Sequence, residues 1–352
     1  MSKPALRPDL ETLEPYRAPQ PEAPVRLNTN ECPYPLPAAF AADLAEAVKA
    51  IEFNRYPDRE ATVLRKGLAE HASHPFEGVW PANGSNEVLA QLLLAYGGPG
   101  RRVMLFTPTY VMHEHLARTC LTDVQRVPLG EGFRLGEDHA AAVRAERPEI
   151  VFVCSPNNPT GNAQDPAAIA AVCEAAPGLV VVDEAYAEFA GTSAKGLLGS
   201  LDNLAVVRTF SKAFSMAAAR LGYALTTPEI VEDLQRVRLP YHLSALGQAA
   251  GETALRHSGD AARLLDAIRD QRDRILAALE AMPGVTWYPS DANFVLFHPG
   301  QPAAEVWQGL LERGVLVRDF STLPGTEGCL RVTAGTPEET TAILSDLQEV
   351  LA

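Results

Sequence analysis

The sequence predicts a doubly wound α/β fold with a mostly parallel sheet, followed by a second, smaller α+β domain. Three observations carry this prediction. Apolar runs such as "EIVFVCSP" (149–156), "GLVVVDEAY" (178–186) and "NLAVVRTFSK" (203–212) are continuous rather than alternating, as expected of strands covered by helices on both faces. These runs alternate with stretches of helical spacing. After "RLPYHLS" (238–244) the texture changes to one long helix, residues 257–282, and then to a separate set of short strands and helices. A chain of 352 residues with 47% hydrophobic content is long enough for two such domains.

In order along the chain, the first 37 residues hold nine prolines, which exclude a long helix or a central strand and predict an extended arm over residues 1–25. A large domain over 26–243 then opens with "AAFAADLAEAVKA" (38–50) and "EVLAQLLLAYG" (87–97), both helical by spacing, and "RVMLFTP" (102–108), a strand. "PAAIAAVCEAA" (166–176) is the helix between the strands that end at Pro156 and begin at Gly178. In the small domain, 244–352, the long helix carries Leu264, Leu265, Ile268, Ile275, Leu276 and Leu279 on one stripe. "GVTWYP", "NFVLF", the helix "AAEVWQGLLERG", "VLVRD" and "CLRVTAG" follow. The last helix opens with a capping box, Thr336 three residues before Glu339, with Pro337 at its first position.

Composition narrows the partner. With 30 Lys+Arg against 44 Asp+Glu, a net charge of -14 and no basic cluster, the electrostatic footprint of a nucleic-acid or anionic-membrane binder is missing. A small-molecule partner is favoured. The five cysteines are odd in number and scattered, without a C-x-x-C pair, which argues against a disulfide framework or a zinc site. No charged and apolar leader opens the chain and no apolar run approaches the roughly 20 residues of a membrane span, so the expected location is cytoplasmic.

Lys212 lies just past an apolar strand, with Thr209 and Ser211 beside it and Arg220 eight residues on. Hydroxyls and a guanidinium make an anion site, and an amine near cations has a depressed pKa suited to Schiff-base chemistry. An aldehyde carrying a phosphate, pyridoxal 5'-phosphate, meets both conditions. That cofactor needs a carboxylate to keep its ring nitrogen protonated, and Asp183 stands at the end of a strand where a ligand crevice opens. Tyr186 and Asn158 are candidates for its ring oxygen and Tyr110 for its ring face. Gly84, Ser85 and Asn86, leading into a helix, are candidates for its phosphate. "HEH" at 113–115 with His71 or His74 suggests a metal, but neither H-E-x-x-H nor a Cys/His pairing is present, so surface or packing histidines are expected and no metal.

Taken in order, "NGSNE", "PTY", "SPNNPTG", "VVDEAY", "TFSKAF", "ARLGY", "ANFVLF" and "LRVTAG" make the chain resemble the fold-type I pyridoxal-phosphate-dependent aminotransferases over essentially its whole length. Within that superfamily it is most similar to the histidinol-phosphate aminotransferase family, on "RLNTNECPYP", "NRYPD", "VRLPYHLS" and "GVLVRD". The resemblance implies that Lys212 carries the cofactor as a Schiff base and that Asp183 pairs with the ring nitrogen. It implies Tyr186 and Asn158 at the ring oxygen, Tyr110 over the ring, and Ser85, Asn86, Thr209, Ser211 and Arg220 around the phosphate. Tyr56 matches the tyrosine that reaches that phosphate from the neighbouring subunit, so a homodimer with shared sites is implied. Arg331 matches the arginine that grips the α-carboxylate of glutamate, while Asn30, Arg318 and Tyr16 fall with the substrate. The implied reaction moves an amino group between L-histidinol phosphate or imidazole-acetol phosphate and 2-oxoglutarate or L-glutamate, in histidine biosynthesis. One departure is Ala218, where many members have glycine. An aromatic amino-acid aminotransferase and a phosphothreonine-type decarboxylase keep the same cofactor residues and remain alternatives. A nicotinamide dehydrogenase would need G-x-G-x-x-G, which "GGPG" (97–100) is not.

Overall fold

A computed structural model describes residues 4–15 and 19–352. The strands are β1 (Val25–Arg26), β2 (Val79–Ala82), β3 (Arg102–Thr107), β4 (Asp123–Pro128), β5 (Ile150–Cys154), β6 (Leu179–Asp183), β7 (Leu204–Thr209) and β8 (Gly222–Leu225), then β9 (Thr286–Trp287), β10 (Phe294–His298), β11 (Val315–Leu316), β12 (Arg318–Asp319) and β13 (Leu330–Thr333). The helices are α1 (Ala38–Lys49), α2 (Thr62–Ala72), α3 (Ser85–Tyr96), α4 (Val111–Thr119), α5 (Glu137–Glu146), α6 (Pro166–Ala175), α7 (Pro228–Val237), α8 (Ala245–Arg256), α9 (Ser258–Glu280), α10 (Ala303–Glu312) and α11 (Pro337–Leu351).

Seven strands form one sheet in the order β2-β8-β7-β6-β5-β3-β4, all parallel except β8. The continuous apolar runs are explained by cover on both faces. Val151 and Val153 pack with α2, α6 and α8, whereas Ile150 and Phe152 of the same strand pack with α3 and α7. β8 runs backwards because only residues 210–221 separate it from β7, with a single 3-10 turn and no crossover helix to bring the chain back in parallel. Pro81, which has no N–H for a ladder, is tolerated because β2 is an edge strand.

A second core, built on the sheet β12-β13-β10-β9, gathers Phe294, Phe297, Val306, Leu310, Ile343 and Leu347. The predicted stripe of the long helix faces it, with Ile268, Ile275 and Leu279 fully buried. At α11 the capping box is formed as expected: Thr336 Oγ1 accepts from Glu339 N at 3.2 Å, and Thr336 N donates to Glu339 Oε2 at 2.8 Å. The cores do not divide along chain order. Ala250 and Ala254 of α8 pack in the first core, α9 passes from the first at Ala261 to the second at Ile268, and Leu27 belongs to the second. β1 pairs in parallel with β11, while the arm before it lies on α4 through Arg7 to the Thr119 carbonyl and Arg118 to Thr12. Residues 27–30 thereby run between the two cores, where Thr333 N donates to Leu27 O.

Candidate active site

Parallel strands deliver their C-terminal ends to one edge of a sheet, and the loops there line a crevice. Here that edge receives residues 83–86 after β2, 108–111 after β3, 155–158 after β5, 184–186 after β6 and 210–212 after β7, together with Arg220 before β8. A cavity of about 190 Å³ opens at this edge, closed on its other side by residues 28–30 and by Arg318, Phe320 and Arg331. Ser85, Asn86, Tyr110, Asn158, Asp183, Tyr186, Thr209, Ser211, Lys212, Arg220, Asn30, Arg318 and Arg331 all line it.

Lys212 Nζ donates to the Thr29 carbonyl at 3.0 Å and lies 5.8 Å from the centre of the Tyr186 ring. Burial, reinforced by the charges of Arg331 and Arg220, lowers its pKa to about 7, so near neutral pH much of it is free amine. Tyr186, buried at the junction of the two cores, receives hydrogen bonds on its hydroxyl from Asn30 Nδ2 at 2.9 Å and Asn158 Nδ2 at 3.4 Å. Burial raises the proton affinity of that hydroxyl. Arg331 donates through Nη1 to Asn158 Oδ1 at 2.5 Å and through Nη2 to the Asn28 carbonyl at 2.8 Å.

Gly84 has φ +87° as the cap of α3, a conformation that favours glycine, and a Cβ there would stand 2.9 Å from Arg220 Nη2. Gly222 is closer still to its neighbour: a Cβ would meet the backbone Ser85 N at 2.3 Å. These contacts press the N-terminus of α3 against Arg220, whose Nη1 donates to Ser211 Oγ at 3.4 Å, with Thr209 Oγ1 3.0 Å from the same hydroxyl. Backbone N–H groups, hydroxyls and a guanidinium converge as a phosphate requires. Ala218 is exposed, so its methyl does not fill the cup.

Asp183 is buried, and its Oδ1 accepts from Ala185 N at 3.1 Å. Its Oδ2 lies 3.0 Å from His113 Nε2. His113 thus turns Nε2 to the carboxylate, and its Nδ1 is buried with no partner among the described residues. Expected to be a packing or surface residue, His113 instead backs the key carboxylate. The available signal was its place on the third helical residue after Tyr110, one turn into α4. Among the described residues no group of three or more His, Cys, Asp or Glu side chains could hold a metal ion.

One expected residue stands apart. Tyr56 is 80% exposed and stacks on Tyr241, with ring centres 4.5 Å apart, away from the cavity. Tyr16 lies outside the described residues. Asn30 lines the cavity, but its amide is engaged by protein: Nδ2 donates to Tyr186 and Oδ1 accepts from Thr333 Oγ1 at 3.0 Å. It therefore orients Tyr186. Thr109, Val111, Cys154 and Phe320 also line the cavity without having been singled out from the sequence.

One sheet edge thus brings together an amine of lowered pKa, a buried carboxylate and a set of N–H groups, hydroxyls and a guanidinium suited to an anion. Residues 22–347 match the family model for aminotransferase class I and II, and the chain belongs to that family. The histidinol-phosphate aminotransferase of Corynebacterium efficiens is 46% identical over 98% of this chain and 94% of that protein. That of Frankia casuarinae is 48% identical over 98% and 90%. In fold, the chain is similar to the histidinol-phosphate aminotransferase of Sinorhizobium meliloti solved in complex with pyridoxal-5'-phosphate, with a TM-score of 0.88 at 24% identity, covering 99% of this chain and 98% of that one. Among the described residues no helix is long and apolar enough to cross a membrane.

Proposed function

We propose that the protein is a cytoplasmic, homodimeric, pyridoxal-phosphate-dependent aminotransferase that moves an amino group between L-histidinol phosphate and 2-oxoglutarate, or in the physiological direction from L-glutamate to imidazole-acetol phosphate. The observation that carries this reading is Lys212, an amine with pKa lowered to about 7, facing one cavity with a buried carboxylate, a phosphate cup and two further arginines.

The cup formed by Gly84, Ser85, Asn86, Thr209, Ser211 and Arg220 fits the cofactor phosphate. Asp183 fits the ring nitrogen, Tyr186 and Asn158 the ring oxygen, and Tyr110 the ring face. When bound, the cofactor supplies a carbonyl that condenses with amines and a ring that accepts the electron pair released at the substrate Cα. Lys212 Nζ would take the proton from the substrate Cα and pass it on to the carbon that brought the cofactor's carbonyl, which a lysine of ordinary pKa, charged at neutral pH, does poorly. Asp183, its orientation held by His113 and Ala185 N, would hold a negative charge at the ring nitrogen. Arg331, fixed by Asn158 and the Asn28 carbonyl, orients the α-carboxylate of glutamate, and Arg318 takes the phosphate of the other substrate.

The deciding measurement is kcat/KM with 2-oxoglutarate for histidinol phosphate, phenylalanine, tyrosine and phosphothreonine, which reports differential transition-state binding. Histidinol phosphate leading by at least an order of magnitude is expected. An aromatic amino acid in first place, or release of carbon dioxide from phosphothreonine, overturns the substrate assignment.

A further inference from the structure

Arg318 on β12 is the register partner of Arg331 on β13 in an antiparallel pair, so two guanidiniums stand directly across from each other on one face of the small sheet. Like charges in that position repel. Phe320, two residues beyond Arg318, returns to the same face by the two-residue period of a strand. Its backbone is held on three sides: Phe320 N donates to Cys329 O at 3.1 Å, and its carbonyl accepts from Leu323 N at 3.0 Å and Thr326 Oγ1 at 3.3 Å. The half-buried ring lines the cavity, with Arg331 Cζ 5.0 Å and Arg318 Cζ 5.8 Å from its centre. Arg331 also lies over Phe294 at 4.9 Å, which places its guanidinium against two rings. In this cavity Phe320 is the large side chain with no polar atom of its own.

We propose that Phe320 is a positioning residue for substrate: its ring is the shared π-face that keeps the opposed guanidiniums of Arg318 and Arg331 together and presented to the cavity, so that one site receives the anionic groups of two different substrates. The face of an aromatic ring attracts a cation, more strongly when water is excluded. A single ring within reach of two cations offsets part of their repulsion and limits the orientations of each before substrate arrives. This inference rests on the aminotransferase reading of the cavity. It assigns Phe320 to the binding of anionic ends and gives it no part in proton transfer.

The test compares Phe320→Leu, which keeps apolar bulk without a π-face, and Phe320→Tyr, which keeps the face, in the cofactor-loaded enzyme. For Phe320→Leu the KM for glutamate and the inhibition constant of inorganic phosphate are each expected to rise about tenfold. Its kcat should stay within about twofold, the signature of lost ground-state and transition-state binding in equal measure. Phe320→Tyr should recover most of both losses. Unchanged constants in Phe320→Leu, no recovery in Phe320→Tyr, or a fall in kcat and melting temperature without a change in KM each overturn the proposal. Failure of the wild type to use histidinol phosphate would remove that substrate assignment alone, because the glutamate and phosphate constants still report on Phe320.

Discussion

Burial, helped by the charges of Arg331 and Arg220 and opposed by Glu31, brings the pKa of Lys212 to about 7 while its Nζ donates to Thr29 O. Lys212→Ala should therefore lose both turnover and the visible absorbance that the bound cofactor owes to this amine, as read by spectrophotometry of the purified protein. A variant that transaminates at the wild-type rate would refute the assignment. Asp183 and His113 act as a pair, Oδ2 lying 3.0 Å from Nε2 with both side chains buried. A hydrogen bond to a charged group is worth about 1.5–3 kcal/mol. His113→Phe is accordingly expected to slow Cα proton removal about tenfold or more in single-turnover measurements, and Asp183→Ala at least a hundredfold. Equal rates in His113→Phe and wild type would leave His113 as packing only.

The segment that follows β6 carries Asp183, Glu184, Tyr186 and Glu188 within six residues, and a buried charge cluster ties it down. Glu184 accepts from Arg208 Nη2 at 2.7 Å and Nε at 3.1 Å, from Ser193 Oγ and from Ala194 N. Glu188 stands 3.7 Å from the same Arg208, while Arg269 of α9 donates to the carbonyls of Glu188 and Phe189. Burial pushes the Glu188 carboxyl up to about 7, against the pull of Arg208 and with a smaller push from Glu184. A raised carboxyl means that the folded state holds a proton the unfolded chain has released. Its contribution to stability is full below about pH 4.5 and is lost as pH rises through about 7. Glu188→Gln, which stays neutral, should match the wild type in urea midpoint at pH 4 and exceed it at pH 8, by up to about 3 kcal/mol. Parallel pH profiles for the two proteins would show that Glu188 ionises normally.

For the molecule as a whole, the exposed side chains near Tyr56 matter most. Phe53 is 70% exposed, Tyr56 80% and Leu239 74%, an unusual amount of apolar surface for a folded chain to leave uncovered. If Tyr56 completes a neighbouring subunit's phosphate cup, mixing inactive Tyr56→Ala with inactive Lys212→Ala subunits restores activity. Half of the dimers at equal mixing are hybrids, each with one intact site, so about a quarter of all sites should recover. A tagged-subunit control must establish exchange and an assay of Tyr56→Ala alone its impairment. No recovery under proven exchange would remove Tyr56 from the partner's site.

By itself the sequence determined the parallel sheet and the loop residues that line the cavity at its edge, because both depend on short-range pattern. A continuous apolar run reports burial on two faces, and the residues just past it, "NGSN", "SPNN", "VVDEAY" and "TFSK", are carried to the crevice by the strand they end. Motifs one loop long are legible for that reason. The sequence does not announce β2, β4 and β8, since Trp80-Pro81 and Gly222-Tyr223 lack a sustained apolar run and "DVQRVP" (123–128) is interrupted by charged and polar residues. Only the tertiary structure decided which partners hold those residues in place. His113 meets Asp183 across 70 positions, Asn30 meets Tyr186 across 156 and Thr333 across 303. Arg318 and Arg331 oppose each other through strand register, with Phe320 beside both. The physical reason is that each such contact depends on where two separate elements come to rest against each other, a property of packing and register that no local spacing encodes.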